Sequence, residues 1–292
     1  MARINKRAAL ENSVKALFSL CGLISVGFVL CISVYLVVSG IPAIQKIGLV
    51  DFLLGETWAP TNSTDPSYGI LPFILTSIYG TAGAVLLGIP LGVLTSIFLA
   101  KVAPPKMAAV VRSAVQLLAG IPSVVYGLVG MIVLVPAIQV LFNLTSGATL
   151  AAAIVVLTIM VLPSIINVSE TALAAVPSEY EEASLALGAT DMETFFRVSL
   201  PAAKNGIAAA IVLGVGRAIG EAMAIIMVSG NVANMPGLLD PVRFMTTAIA
   251  SEMSYAAAGS LQREALFSIG LVLFLFILMI NVFLNVFVKR RG

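Results

Sequence analysis

Histidine is missing from this sequence, cysteine occurs twice, tryptophan once, and charged residues fill only 10% of its 292 positions. Each shortage removes a class of chemistry. Without histidine there is no zinc-hydrolase signature, no serine–histidine dyad and no haem held through imidazole. No phosphate-binding loop ending in Gly-Lys-Ser or Gly-Lys-Thr occurs, so ATP is not bound here by that route. Cys21 and Cys31 stand ten residues apart in one apolar segment. That is about 15 Å along a helix, which excludes a disulfide between them within it, and both read as packing residues. A net charge of +2 gives no general attraction to nucleic acid.

What is abundant is apolar: 60% of residues are hydrophobic and the mean hydropathy is +1.08. A soluble domain carries about 25% charged residues. This chain cannot assemble such a polar shell, so lipid must cover much of it, and the expected fold is an all-α membrane protein. A crossing needs about 20 mostly apolar residues. Six segments qualify, at about 17–40, 70–100, 107–141, 149–168, 205–229 and 264–288. The third is too long for one straight helix and is interrupted by Gly120-Ile121-Pro122. It is predicted to divide into a leading helix, Met107–Ala119, and a crossing, Ile121–Phe142. The first segment begins basic, but its apolar run exceeds that of a signal peptide and no A-x-A site follows, which predicts a retained crossing.

The basic residues orient these segments. With the N-terminus inside, the cytoplasmic side receives Arg3, Lys6, Arg7, Lys15, Lys101, Lys106, Arg112, Arg197, Lys204, Lys289, Arg290 and Arg291. The outside receives Lys46, Arg243 and Arg263. This positive-inside asymmetry predicts both termini in the cytoplasm. The outer loop between the first two crossings holds Trp58, Pro60, Asp65, Pro66 and Tyr68, with the two aromatics suited to the membrane interface. Gly88 with Gly92, and Gly216 with Gly220, have the spacing that permits close helix approach. Pro90, Pro122, Pro136 and Pro163 fall inside apolar segments, where each removes a helical hydrogen bond that neighbours or a cavity must replace.

The most informative stretch runs from Glu170 to Lys204. Ser178 with Glu181, after Pro177, has the pattern of a capping box. A helix from there can reach Leu187 and stop at Gly188 through a left-handed turn. Thr190 with Glu193 repeats the pattern and opens a second helix toward Leu200 and Pro201. Tyr180, Ala183 with Ser184, and Leu187 share one face; so do Met192, Phe195 with Phe196, and Ser199. Apolar helix faces exposed to the cytoplasm imply a partner or a membrane surface. A membrane-surface helix should be basic, whereas Glu170 to Leu200 holds Glu170, Glu179, Glu181, Glu182, Asp191 and Glu193 against Arg197 alone. The pattern favours a protein partner.

Glu182-Ala183-Ser184, three residues, Gly188, nine residues, then Val198-x-Leu200-Pro201 resembles the EAA loop of bacterial ABC-importer permeases, with Ser184 in place of alanine and Val198 in place of isoleucine. Trp58-x-Pro60, Tyr68-Gly69-Ile70-Leu71-Pro72, Gly120-Ile121-Pro122-Ser123-Val124-Val125-Tyr126-Gly127 and Gly216-Arg217-Ala218-Ile219-Gly220-Glu221 resemble the phosphate-specific importers, the C-type (PstC-like) permease more than the A-type. The resemblance covers nearly the whole chain. It implies a type I importer permease of about six crossings in the bacterial cytoplasmic (inner) membrane. A cytoplasmic segment, 1–16, would precede one transmembrane domain, 17–292, with the coupling loop at about 170–204. It implies that Glu182, Ala183, Ser184, Gly188, Val198, Leu200 and Pro201 serve the docking of an ATPase. The implied partners are an A-type permease, two ATPase copies and an extracytoplasmic phosphate-binding protein, with ATP and magnesium on the ATPase and no cofactor on this chain.

Arg217 and Glu221 lie within the fifth apolar segment, four residues apart, on one face if the helix is continuous. Each charge near a bilayer centre costs about 2.5–3.5 kcal/mol on insertion scales. The pair could simply lock two helices together. Alternatively Arg217 could meet a passing oxyanion, since guanidinium stays charged and presents a fork of donors matching phosphate, with Glu221 holding it when substrate is absent. The resemblance favours this substrate-pathway reading. Other expectations to be separated from it are transport of a different oxyanion, a gradient-driven transporter and an intramembrane enzyme. No pair of intramembrane aspartates supports the last.

Overall fold

The computed structural model describes residues 2–62 and 64–290. Of the basic residues in the charge asymmetry, Arg291 lies outside them, as do the side chains of Arg3, Lys6, Arg7, Lys289 and Arg290.

The chain opens with α1 (Ala2–Ile47) and a short α2 (Leu49–Leu54). A two-stranded antiparallel hairpin follows, β1 (Trp58–Ala59) against β2 (Ser67–Tyr68). Helix α3 (Leu71–Ile97) ends in a π turn, Phe98–Val102. Then come α4 (Pro105–Gly120), α5 (Ser123–Val129), a π turn at Gly130–Leu134, α6 (Val135–Phe142) and α7 (Leu150–Ala174). The cytoplasmic stretch of the sequence reading contains α8 (Ser178–Ala186), α9 (Asp191–Thr194), a π turn at Phe195–Ser199 and α10 (Leu200–Ala202). The rest is α11 (Lys204–Gly220), α12 (Met223–Val228), α13 (Met245–Glu252) and α14 (Leu261–Arg290).

Among the described residues, five helices are long and apolar enough to cross a membrane: Val14–Ile47, Leu71–Val102, Ser123–Phe142, Leu150–Ala174 and Leu261–Phe283. A sixth arises only by joining Asp191–Ala202 to Lys204–Gly220, which meet at 62°. The first of these two arms carries Asp191, Glu193 and Arg197, so the apolar part of the crossing is α11, continued after a break by α12. The expected division at Gly120-Ile121-Pro122 is present: Ile121 is extended (φ −72°, ψ 127°) between α4 and α5. The fourth crossing runs further than expected, through Glu170 to Ala174, so the following loop is shorter than the sequence suggested.

Helix α7 is the centre of the bundle, with 56% of its apolar window inside the protein, whereas α1 has 0% and leans on α14 at the edge. Lipid already covers apolar surface, so helices associate here through close packing more than through burial. Gly88 and Gly92 provide that closeness. A Cβ at Gly88 would stand 2.8 Å from Val161 Cγ2, and one at Gly92 2.7 Å from Ile165 Cγ2. The second glycine pair does otherwise: nothing lies within 4 Å of a Cβ at Gly216 or Gly220. Helix α11 approaches α7 through Gly214, where a Cβ would meet Ile165 Cγ1 at 2.9 Å.

Trp58 is not an interfacial anchor. It is 8% exposed and packs edge-on to Tyr68 and Phe73. Its indole N–H donates to both carboxylate oxygens of Glu252 at 3.1 Å. Glu252 also accepts from Arg243 Nη1 at 2.5 Å and from Gln262 Nε2 at 3.1 Å, while Arg243 Nε and Nη2 donate to the Asn231 carbonyl. An indole with a carboxylate acceptor no longer needs interfacial water, which is why it is buried.

Candidate functional site

Two groups of residues singled out in the sequence form distinct local structures. The first is the broken crossing. Gly220 ends α11 and Glu221 is extended (φ −73°, ψ 133°), so Arg217 and Glu221 do not share a helix face. The cause is local. The Glu221 carboxylate accepts the Ala224 N–H at 2.9 Å, capping α12, and the Glu221 carbonyl accepts from Thr246 Oγ1 at 2.8 Å. Two of the backbone groups freed by the break are thereby satisfied, which irregular backbone at membrane depth requires. Arg217 turns elsewhere: its Nη1 donates to Ser164 Oγ on α7 at 3.2 Å. The ion pairs among the described residues are Lys46–Glu264, Lys101–Glu181, Arg112–Glu170 and Arg243–Glu252, and neither Arg217 nor Glu221 belongs to one. Tyr126 is within electrostatic reach of Arg217, but its hydroxyl donates to the Leu118 carbonyl at 2.7 Å. A guanidinium fixed by one neutral hydroxyl keeps most of its fork available.

The second is the helix–Gly–helix element. Gly188 has φ +87°, the left-handed turn expected of it. The Thr190 box forms in full: Thr190 Oγ1 accepts the Glu193 N–H at 3.3 Å, and the Glu193 carboxylate accepts the Thr190 N–H at 3.0 Å. The Ser178 box does not form. Pro177, whose ring carries no polar group, takes the cap position, and Glu181, which the box would need, is engaged elsewhere. Its carboxylate accepts from Lys101 Nζ at 2.6 Å and from Ser199 Oγ at 2.6 Å. Those two bonds, Lys101 first, hold its pKa below the ordinary 4.5. Ser184 has a use that alanine could not supply, accepting from Thr194 Oγ1 at 2.9 Å and closing α8 on α9.

The residues expected to serve docking divide. Helix α8 buries none of its residues. Glu182, Ala183, Gly188 and Pro201 are exposed, and Tyr180, Leu187, Met192 and Phe196 present uncovered apolar surface. Leu200 instead packs inward on Leu173, Phe195 and Ala203, with Val198 half-buried. The second expected face is therefore split: Phe195 and Ser199 are buried while Met192 and Phe196 are not. The wider π turn rotates them apart.

A family model of binding-protein-dependent transport system inner membrane components matches residues 88–292. The chain belongs to this family. The permease is 40% identical to the probable ABC transporter permease protein YqgH of Bacillus subtilis strain 168, over 89% of this chain and 86% of that protein. It is 32% identical to the phosphate transport system permease protein PstC of Haemophilus influenzae, over 97% and 93% of the two chains. Among solved structures, the MetNI methionine ABC transporter in its inward-facing form aligns with a TM-score of 0.60 at 21% identity, over 76% of this chain and 96% of that one. That likeness speaks for the fold, a type I ABC-importer permease. The permease is a PstC-like, multi-pass inner-membrane component.

Within the permease, the sequence reading missed Lys101 and Ser199 as partners of Glu181, and Ser164 as the partner of Arg217. Ser164 left a faint trace, a hydroxyl residue directly after Pro163 in an apolar run. Lys101 left none beyond its positive charge near the end of a crossing.

Proposed function

We propose that the chain is the C-type permease subunit of an ATP-driven phosphate importer. The observation that carries the reading is α8, a helix with no buried residue, bonded to the end of α3 at one point and offering Tyr180 and Leu187 to a partner. A helix so exposed, in a family defined by binding-protein-dependent transport, has a docking use: it fits a cleft of a cytoplasmic ATPase. The relative named as a PstC phosphate permease supports phosphate as cargo, with a different oxyanion as the second reading.

In this mechanism a soluble binding protein delivers phosphate to a mouth formed by this chain and an A-type permease. ATP and magnesium are handled by two ATPase copies, and this chain itself is not catalytic. Closure of the ATPases moves the 178–200 element and rearranges the crossings by alternating access. Arg217 meets the oxyanion on the way. Its unspent donors and the broken helix beside it support this, since discontinuous helices line binding sites in other transporters.

The test is phosphate uptake into liposomes holding the assembled complex. Uptake should require ATP and the ATPase chains; uptake driven by an ion gradient without them would overturn the reading. The basic asymmetry supports an orientation with both termini in the cytoplasm. Cysteines introduced at 178–200 should resist a membrane-impermeant thiol reagent added outside intact cells, and efficient labelling there would reverse the orientation.

A further inference from the structure

Glu181 stands beside the Glu182-Ala183-Ser184 motif, and its carboxylate joins elements far apart in the chain. Lys101 Nζ donates to both of its oxygens at 2.6 Å, and Ser199 Oγ donates to Oε1 at 2.6 Å. Lys101 lies in the π turn that ends α3, and Ser199 in the π turn that leads through α10 to the 62° bend into α11. Such turns are rare and gather at functional positions. Two of the three among the described residues each supply a partner to this one carboxylate. With no buried residue, α8 has no packed face through which to push on the bundle. Its polar link to α3 is Glu181.

We propose that Glu181 is the transmission joint of the permease, a positioning residue through which displacement of α8 reaches α3 by way of Lys101 and α11 by way of Ser199. The inference rests on reading the 178–200 element as the ATPase-docking device, and adds which two crossings that device drives. A carboxylate shared by an ammonium and a hydroxyl resists displacement relative to both, because charge-assisted bonds are short and directional. Side chains 33% and 28% exposed make the ion pair weak as a source of stability, so its loss should appear in coupling before it appears in folding. Arg112 and Glu170 form a neighbouring pair of the same 2.6 Å length on the same cavity of about 250 Å³, but without touching α8.

The experiment uses the full complex in liposomes and reads inorganic phosphate moved per ATP hydrolysed. Glu181→Gln and Lys101→Met should each lower that ratio about two- to fivefold, the range a partly exposed pair supports, while ATP hydrolysis persists. The exchange Lys101→Glu/Glu181→Lys should restore it, and Arg112→Gln should leave it unchanged. Ser199→Ala keeps the ion pair and should lower the ratio less; it carries the test if the charge variants assemble poorly. A ratio unchanged in these variants beside an active wild type, or transport and hydrolysis falling together, would overturn the proposal alone. Absence of ATP-driven uptake in the wild type would overturn the functional reading and this proposal with it.

Discussion

Arg217 and Glu221 are four residues apart and share no bond, whereas Lys101 and Glu181 are eighty residues apart and are joined by two bonds of 2.6 Å. The difference follows from what each carboxylate finds first. In the interior of the bundle Glu221 takes a backbone N–H that its own helix break has freed. At the end of α3 Glu181 meets an ammonium delivered by a π turn. The consequences are opposite. Arg217 is left with unspent donors in an apolar region and can take a ligand. Lys101 is fully engaged and can hold or transmit.

Substitutions at Arg217 give the largest expected effect. Arg217→Lys keeps the charge and loses the fork, and phosphate uptake should fall on the order of tenfold, the scale of losing charge-assisted bonds. In Arg217→Ala/Glu221→Ala uptake should stay low, because the α12 cap is lost along with the guanidinium; uptake at the wild-type level would return Arg217 to a merely structural role. The two residues do not touch, so their separate losses should add to within about 0.5 kcal/mol. Lys101→Met and Glu181→Gln should not add, because the second removes a bond the first has already broken. If the first pair proved coupled and the second independent, the contrast would be reversed.

Next is the turn that sets α8 in place. Gly188→Val puts a β-branched residue at φ +87°, with open space around the new Cβ. The cost is therefore conformational, about 1–3 kcal/mol. Membrane insertion should survive while ATPase binding and transport fall, and Gly188→Asn should recover much of the loss because asparagine tolerates the left-handed region. Unchanged ATPase binding in the valine variant would separate the element from docking. Thr190→Ala should cost about 1 kcal/mol by removing the cap, read as faster amide exchange at Glu193. The smallest effect is that of pH. The pKa of Glu181 is lower folded than unfolded, so its contribution is complete above the ordinary 4.5 and is lost as pH falls through the lowered value. Exchange protection of α8 should thus be flat at neutral pH and decline only in acid.

Much of the molecule could be read in advance because the signals were local. Pro122 and Ile121 broke the third apolar run, Gly188 took positive φ, and Thr190 with Glu193 closed its box. Gly88 and Gly92 packed closely as their spacing allowed, yet Gly216 and Gly220 with the same spacing did not, because a spacing states what is permitted and only a facing helix makes use of it. Ser178 lost its box for the same reason: Glu181 had a better partner in Lys101. Trp58, expected at the lipid interface, was drawn inside by Glu252, a residue 194 positions away.

The sequence by itself determined that this chain lives in a membrane, roughly where it crosses, and that it carries a capped helix–Gly–helix element. Composition, apolar length and capping act over a few residues and need no knowledge of neighbours. Tertiary structure alone decided which charge meets which, because an ion pair depends on three-dimensional distance and on what competes for the same carboxylate. Hence Glu221 went to a backbone amide, Glu181 to Lys101 and Ser199, and Arg217 to Ser164 with its remaining donors unspent.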